Sequence, residues 1–124
     1  ANSASMYAAL RTLSKLPCRG RRIAVLGDMF ELGKQSAKEH RQVGKAAARA
    51  ALDRLCVLGR QAPTMRRAAV AHGLRPEQVM VGKDHNDIAR RLRQELKKGD
   101  WLLVKGSRGM KMETVLHELK SGKA

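Results

Sequence analysis

Two short segments hold most of the residues able to do chemistry. The first, Gly27-Asp28-Met29-Phe30-Glu31-Leu32-Gly33, sets two carboxylates between glycines and follows the apolar run Ile23-Ala24-Val25-Leu26. The second, Lys105-Gly106-Ser107-Arg108-Gly109-Met110, offers two cations, a hydroxyl and two glycines where a helix begins. Cations and a hydroxyl beside backbone amides at a helix start form a cradle for a carboxylate or a phosphate. Ordinary polar turns share this composition, so spacing alone leaves both readings open.

Several sharper motifs are missing. Neither segment fits the G-x-x-x-x-G-K-[ST] phosphate loop or the G-x-G-x-x-G dinucleotide fingerprint. His40, His72, His85 and His117 have no metal-ligand spacing and no H-E-x-x-H occurs, so no metal site is expected. His40 either lines the pocket of the first loop or packs as a cap or surface residue. Cys18 and Cys56 form neither a disulfide scaffold nor a zinc cluster, and Cys56 reads as core. Read this way, the residues name no catalytic group.

The elements that must position the two segments follow from periodicity. Ile23–Leu26, Leu55–Leu58, Val79–Val81 and Trp101–Val104 are continuous apolar runs, which suit strands buried on both faces of a parallel sheet. A glycine after each run lets the chain turn at the carboxyl edge of the sheet. Between them lie amphipathic helices. Residues 3–16 place Met6, Leu10 and Leu13 on one face before Pro17. Ser36 and Glu39 read as a capping box opening a helix to about Leu52, with Val43, Ala47 and Ala50 inward. A third helix covers about 63–71. Asp84 caps a fourth that repeats Ile88, Leu92 and Leu96, and a fifth carries Met112, Val115, Leu116 and Leu119. This alternation predicts a three-layer α/β domain with five helices and a mainly parallel sheet of four strands in the order 3-2-1-4. That order makes the first and last strands neighbours and brings the two segments onto one rim, with Arg108 turned inward. Ligands of open α/β sheets bind at that edge.

Composition narrows the class. At 124 residues, 43% of them hydrophobic, the chain is expected to be one domain, spanning 1–124, around one core. Its 26 Lys and Arg exceed 11 Asp and Glu, giving a net charge of +15. Such an excess attracts polyanions. Lys34, Lys38, Arg41, Lys45 and Arg49 form a stripe along the second helix, and Arg90, Arg91, Arg93, Lys97 and Lys98 form a second basic surface. These are either solvated helix faces or, in the rival reading, the phosphate contacts of a basic α/β nucleic-acid-binding module. The charges are spread over every element rather than gathered in a recognition helix, which argues against nucleic acid. Aromatics at 2% leave no base-stacking platform. No apolar run approaches ~18 residues, so no membrane span is expected, and no signal-peptide pattern opens the chain. A cytoplasmic monomer is the expectation. A start at Ala1 rather than Met is what a piece of a larger protein would show.

Four ordered blocks carry a family resemblance. Ala1-Asn2-Ser3-Ala4-Ser5-Met6 with Ala8-Ala9-Leu10 resembles N-A-N-P-x-S-M-x-x-A-L. Arg22 through Gly33 resembles R-x-A-V-L-G-D-M-x-E-L-G, and His40 with Val43-Gly44 resembles the H-x-x-V-G that follows. Gly99-Asp100 and Val104 through Glu113 resemble G-D-x-x-L-V-K-G-S-R-x-M-x-M-E. These are blocks of the Mur ligase family, in the C-terminal domain of its MurF type, and they cover nearly the whole chain. Ser3 departs from the family's proline, which is expected to loosen the entry into the first helix.

The resemblance implies a Rossmann-like domain, the third of an ATP-dependent ligase whose UDP-substrate and central ATPase domains lie outside this chain. Such an enzyme uses ATP and Mg2+ to phosphorylate the carboxylate of UDP-MurNAc-tripeptide. The amine of D-alanyl-D-alanine then attacks the acyl phosphate. The third domain closes over the nucleotide and presents the dipeptide, with no cofactor held tightly by itself. Carried over by position, Ser107 and Arg108 would hold the dipeptide carboxylate, with Lys105 in support. Asn2 would lie near the nucleotide, and the loop of Asp28, Met29, Phe30 and Glu31 would face the cleft. An isolated third domain is expected to fold without ligating, because it holds one side of the cleft only.

Overall fold

The computed structural model describes residues 2–121; Ala1, which opens the first of the resembling blocks, and residues 122–124 lie outside them. Nine elements alternate: α1 (Ser3–Lys15), β1 (Arg22–Gly27), α2 (Ser36–Ala48), β2 (Arg54–Leu58), α3 (Ala62–Ala71), β3 (Val79–Val81), α4 (His85–Glu95), β4 (Trp101–Lys105) and α5 (Glu113–Ser121). The four strands pair in parallel in the order β3-β2-β1-β4. Fold class, strand order and helix number are as the periodicity predicts.

Side chains alternate across each strand, so the sheet feeds two cores. Ala24, Leu26, Leu55, Val57 and Val79 pack under α1, α2 and α3, against Met6, Leu10, Val43 and Met65 among others. Ile23, Val25, Cys56, Leu58 and Met80 face the opposite way, against Ile88 and Leu92 of α4 and against Met112 and Val115. Burial on both faces explains why these strands read as unbroken apolar runs. It also fixes the site. The chain leaves β1 for α2 on one face and leaves β4 on the way to α5 on the other, so a crevice opens between their carboxyl ends.

Local signals had mixed outcomes. Asn2 caps α1: its Oδ1 accepts from Ser5 N–H at 2.8 Å, and its own N–H donates to Ser5 Oγ at 3.2 Å. The cap forms with Ser3 in the family's proline position. Asp84 caps α4 by accepting from Asp87 N–H at 2.7 Å. The expected box at Ser36 and Glu39 does not form. A 3-10 turn at Gly33–Gln35 leads into α2, so the preceding Gln35 already has helical torsions. A capping side chain needs extended backbone, and Ser36 lies inside the first turn instead. Helix α2 also stops at Ala48 rather than near Leu52, and Ala51 takes the left-handed conformation (φ 57°). Leu96 falls just past α4 as its C-terminal cap, and Leu116 points outward at 38% exposure.

Candidate functional site

Ser107 joins the two expected segments. Its N–H donates to the Asp28 carbonyl at 2.9 Å, and its Oγ accepts from Phe30 N–H at 2.8 Å. Its own carbonyl accepts from Met110 N–H at 2.8 Å, closing a 3-10 turn over Arg108–Met110. The side chain is only 7% exposed, yet accepting from Phe30 leaves the hydroxyl proton free to donate. Gly106 makes the close approach possible. A Cβ there would lie 2.7 Å from Met112 Cγ and 3.2 Å from Gly27 Cα.

The loop after β1 divides into buried and exposed halves. Asp28 is buried, and both its carboxylate oxygens are committed. Oδ2 accepts from Arg60 N–H at 2.8 Å and Oδ1 from Gln61 N–H at 2.9 Å, at the N-terminus of α3. Although the sequence suggests an acid facing the cleft, Asp28 instead ties the loop after β1 to the β2–α3 connection. Met29 is likewise buried, with its N–H donating to His40 Nε2 at 2.9 Å. Phe30, at 44% exposure, and Glu31, at φ 64°, are the members that reach solvent. Together these residues line a depression of about 440 Å³, bounded also by Ser36, Arg60 and Gln61.

Three cations stand around this rim. Arg108 is exposed, and Lys105 is half-buried at the end of β4, in register with Leu26. Arg60 is exposed on the next connection. None of the three has a carboxylate partner among the described residues. Arg60 was missed by sequence reasoning, although it follows Gly59 much as Arg108 follows Gly106. Asn2 shares the same edge. Arg22 donates to the carbonyls of Leu13 (3.0 Å) and Leu16 (2.8 Å), which anchors the C-terminal end of α1 at the amino edge of the sheet. A 13-residue helix is about 20 Å long, so its N-terminus returns to the carboxyl edge. The Asn2 Oδ1 is taken up by the cap.

The two basic surfaces differ. On the α4 side Arg90 and Arg91 pair with Asp87 at 2.8 and 3.3 Å, so that surface is partly neutralised, and Arg93 donates to the Glu118 carbonyl at 2.8 Å. The Lys83 N–H, followed by Arg91 and Arg90, holds the Asp87 carboxyl below its ordinary value. Asp100 is lowered in the same way, first by the Arg21 N–H. Lys34, Lys38, Arg41, Lys45 and Arg49 have no ion pair among the described residues. No group of three or more His, Cys, Asp or Glu converges among the described residues in a way that could hold a metal ion.

Comparison with known proteins gives this geometry a context. The family model described as "Mur ligase, glutamate ligase domain" matches residues 1–108. The UDP-N-acetylmuramoyl-tripeptide--D-alanyl-D-alanine ligase of Escherichia coli is 37% identical over 125 residues, covering 97% of this chain and 25% of the relative. The ligase of the same name in Bacillus subtilis is 30% identical over 119 residues, covering 96% and 26%. Among solved structures, MurF from Acinetobacter baumannii superposes with a TM-score of 0.80 at 28% identity, covering 96% of this chain and 26% of that one. MurF ligase from Thermotoga maritima, in complex with ADP, gives 0.79 at 27%, covering 97% and 26%. The chain thus spans about a quarter of the length of the curated relatives it matches. The nucleic-acid reading of the basic helices finds no counterpart among these ligases.

Proposed function

The chain belongs to the Mur ligase family as its C-terminal, glutamate ligase domain, and on that premise we propose that it is the acceptor-binding domain of a MurF-type ligase. The substrate it presents is D-alanyl-D-alanine, for transfer to the activated carboxylate of UDP-MurNAc-tripeptide. One observation carries the reading. Ser107 is fastened to the β1 loop at the switch point of the sheet, and the next residue, Arg108, is exposed with no carboxylate partner among the described residues. A hydroxyl donor, a planar cation and the nearby Lys105 suit the carboxylate end of a dipeptide, and charge-assisted bonds to it fix direction as well as affinity. Holding the carboxylate leaves the amine end directed across the cleft, where positioning supplies much of the rate.

The full ligase would use ATP with Mg2+, and this domain is not where they are gripped. It has no phosphate loop, and Asp28, the buried acid of the β1 loop, already accepts two backbone N–H groups. The central ATPase domain and the UDP-substrate domain complete the cleft from the other side. In this reading the domain is a single unit of a monomeric, cytoplasmic enzyme; among the described residues no helix is long and apolar enough to cross a membrane.

The test is steady-state kinetics of the intact ligase carrying Arg108→Ala. A lost hydrogen bond between charged groups is worth ~1.5–3 kcal/mol, so KM for the dipeptide should rise roughly 10- to 100-fold while KM for ATP stays the same. An unchanged dipeptide KM would refute the assignment.

A further inference from the structure

Two histidines reach the backbone of the two cleft loops, and their ring nitrogens work in opposite senses. His40, fully buried on α2, has Nε2 2.9 Å from the Met29 nitrogen and Nδ1 2.7 Å from the Ser36 carbonyl. An amide N–H only donates and a carbonyl only accepts, so the ring is neutral with its proton on Nδ1. His85, the first residue of α4, sets Nε2 2.6 Å from the Met110 carbonyl. There Nε2 carries the proton. His40 accepts from the loop after β1; His85 donates to the loop after β4.

Protonation separates the two. A proton on His40 Nε2 removes the lone pair that Met29 N–H uses and sets two N–H groups against each other. Met29 is buried, so its amide has no ready substitute partner. A protonated His85 keeps its Nε2–H and holds the Met110 carbonyl more strongly. Among titratable and charged groups, Asp28 and Glu31 on the loop and Arg60 on the β2–α3 connection line the depression that Ser36 also borders, Glu39 and Arg41 adjoin His40 in sequence on α2, and Tyr7 on α1 lies near Glu39. Of these, Asp28 is held by two amides and Glu39 lies close enough to Tyr7 to raise its phenol, after burial itself. Lys83, Asp84 and Asp87 flank His85 on its own connection, and Arg108 and Lys111 flank Met110. Asp87 is occupied by Lys83 N–H, Arg90 and Arg91.

We propose that His40 and His85 are positioning residues that hold the two halves of the cleft, so that acid frees the loop of residues 28–31 while the loop of residues 106–111 stays held. For its consequence, weaker dipeptide binding at acid pH, the proposal rests on the acceptor-site reading. The test uses the isotope-labelled chain without ligand. Long-range proton–nitrogen spectra at about pH 8 should show His40 as the Nδ1–H tautomer and His85 as the Nε2–H tautomer. Between about pH 8 and pH 5 the hydrogen-exchange protection factor of the Met29 amide should fall at least ~10-fold, while those of Met110 and Lys111 hold. His40→Gln, whose side-chain oxygen can accept from Met29 at any pH, should abolish the change. Because His40→Ala would leave a hole in the core, the Gln variant and the tautomers carry the test. An Nε2–H tautomer at His40, constant Met29 protection, or the same acid fall in His40→Gln would each overturn the proposal. Adding D-alanyl-D-alanine at both pH values keeps the two readings apart. Loss of Met29 protection on acidification, with no dipeptide binding at either pH, would sink the acceptor reading and support the histidine assignment.

Discussion

Replacing Asp28 separates a structural carboxylate from a substrate-facing one. Its two oxygens each accept one backbone N–H, at 2.8 and 2.9 Å, from Arg60 and Gln61 at the start of α3. Hydrogen bonds to a charged group contribute ~1.5–3 kcal/mol each. Asp28→Asn keeps one acceptor oxygen, loses the other bond, and gives up ~0.3–1 kcal/mol of charge–helix attraction. The expected cost is about 2 kcal/mol, and for Asp28→Ala, which orphans both amides, about 3–4 kcal/mol. At roughly 4 °C per kcal/mol for a domain of this size, the Asn variant should melt roughly 8 °C lower. Urea unfolding should show the same loss as a shifted midpoint with an unchanged slope. Gly59 reports on the same contact: it has φ 117°, and a Cβ there would lie 2.5 Å from the Asp28 carboxyl carbon. Gly59→Ala should therefore cost at least ~2 kcal/mol from backbone strain and collision together. Part of that cost should vanish when Asp28→Ala is combined with it. If Asp28→Asn left stability within ~0.5 kcal/mol of the parent yet abolished dipeptide binding, the carboxylate would face substrate and the reasoning would be wrong.

Two further predictions concern titration. Burial pushes the Cys56 thiol up to about 12, whereas Cys18 is only half-buried, so a thiol reagent at about pH 8 should modify Cys18 alone until the chain unfolds; mass spectrometry showing Cys56 modified at the native-state rate of Cys18 would contradict this. Asp87 and Asp100 are held below their ordinary values, chiefly by the N–H groups of Lys83 and Arg21. A lowered folded-state value adds stability that is fully present above the unfolded value, about 4, and is lost as pH falls through the folded one. Urea midpoints should therefore decline below about pH 4, and Asp100→Asn should flatten that decline; a variant with the parent's acid limb would contradict the assignment.

The sheet was legible because its inner strands β1 and β2 are covered on both faces, so burial writes itself into the sequence as an unbroken apolar run, whereas the edge strand β4 is apolar yet only partly buried. The expected order 3-2-1-4 is the one observed, and with it the loops after β1 and β4 meet. What could not be read is what depends on distant partners. Asp28 finds its amides 32 and 33 residues away, and a side-chain bond to remote backbone leaves no local pattern. His40 has a periodic place on α2, but its bond to Met29 depends on how the loop folds back. The box expected at Ser36 failed for the opposite reason. The residue types were right, but a 3-10 turn had already set helical torsions ahead of them. At α1 the reciprocal cap formed with Ser5 in the place where glutamate is usual.

The most direct test of the acceptor-site claim is to titrate D-alanyl-D-alanine into the labelled chain and map the amide and guanidinium shifts. Saturating changes are expected at Phe30, Ser107 and the Arg108 side chain, and they should disappear in Arg108→Ala. Shifts confined to the cationic stripe along α2, or shifts that survive intact in that variant, would contradict the account.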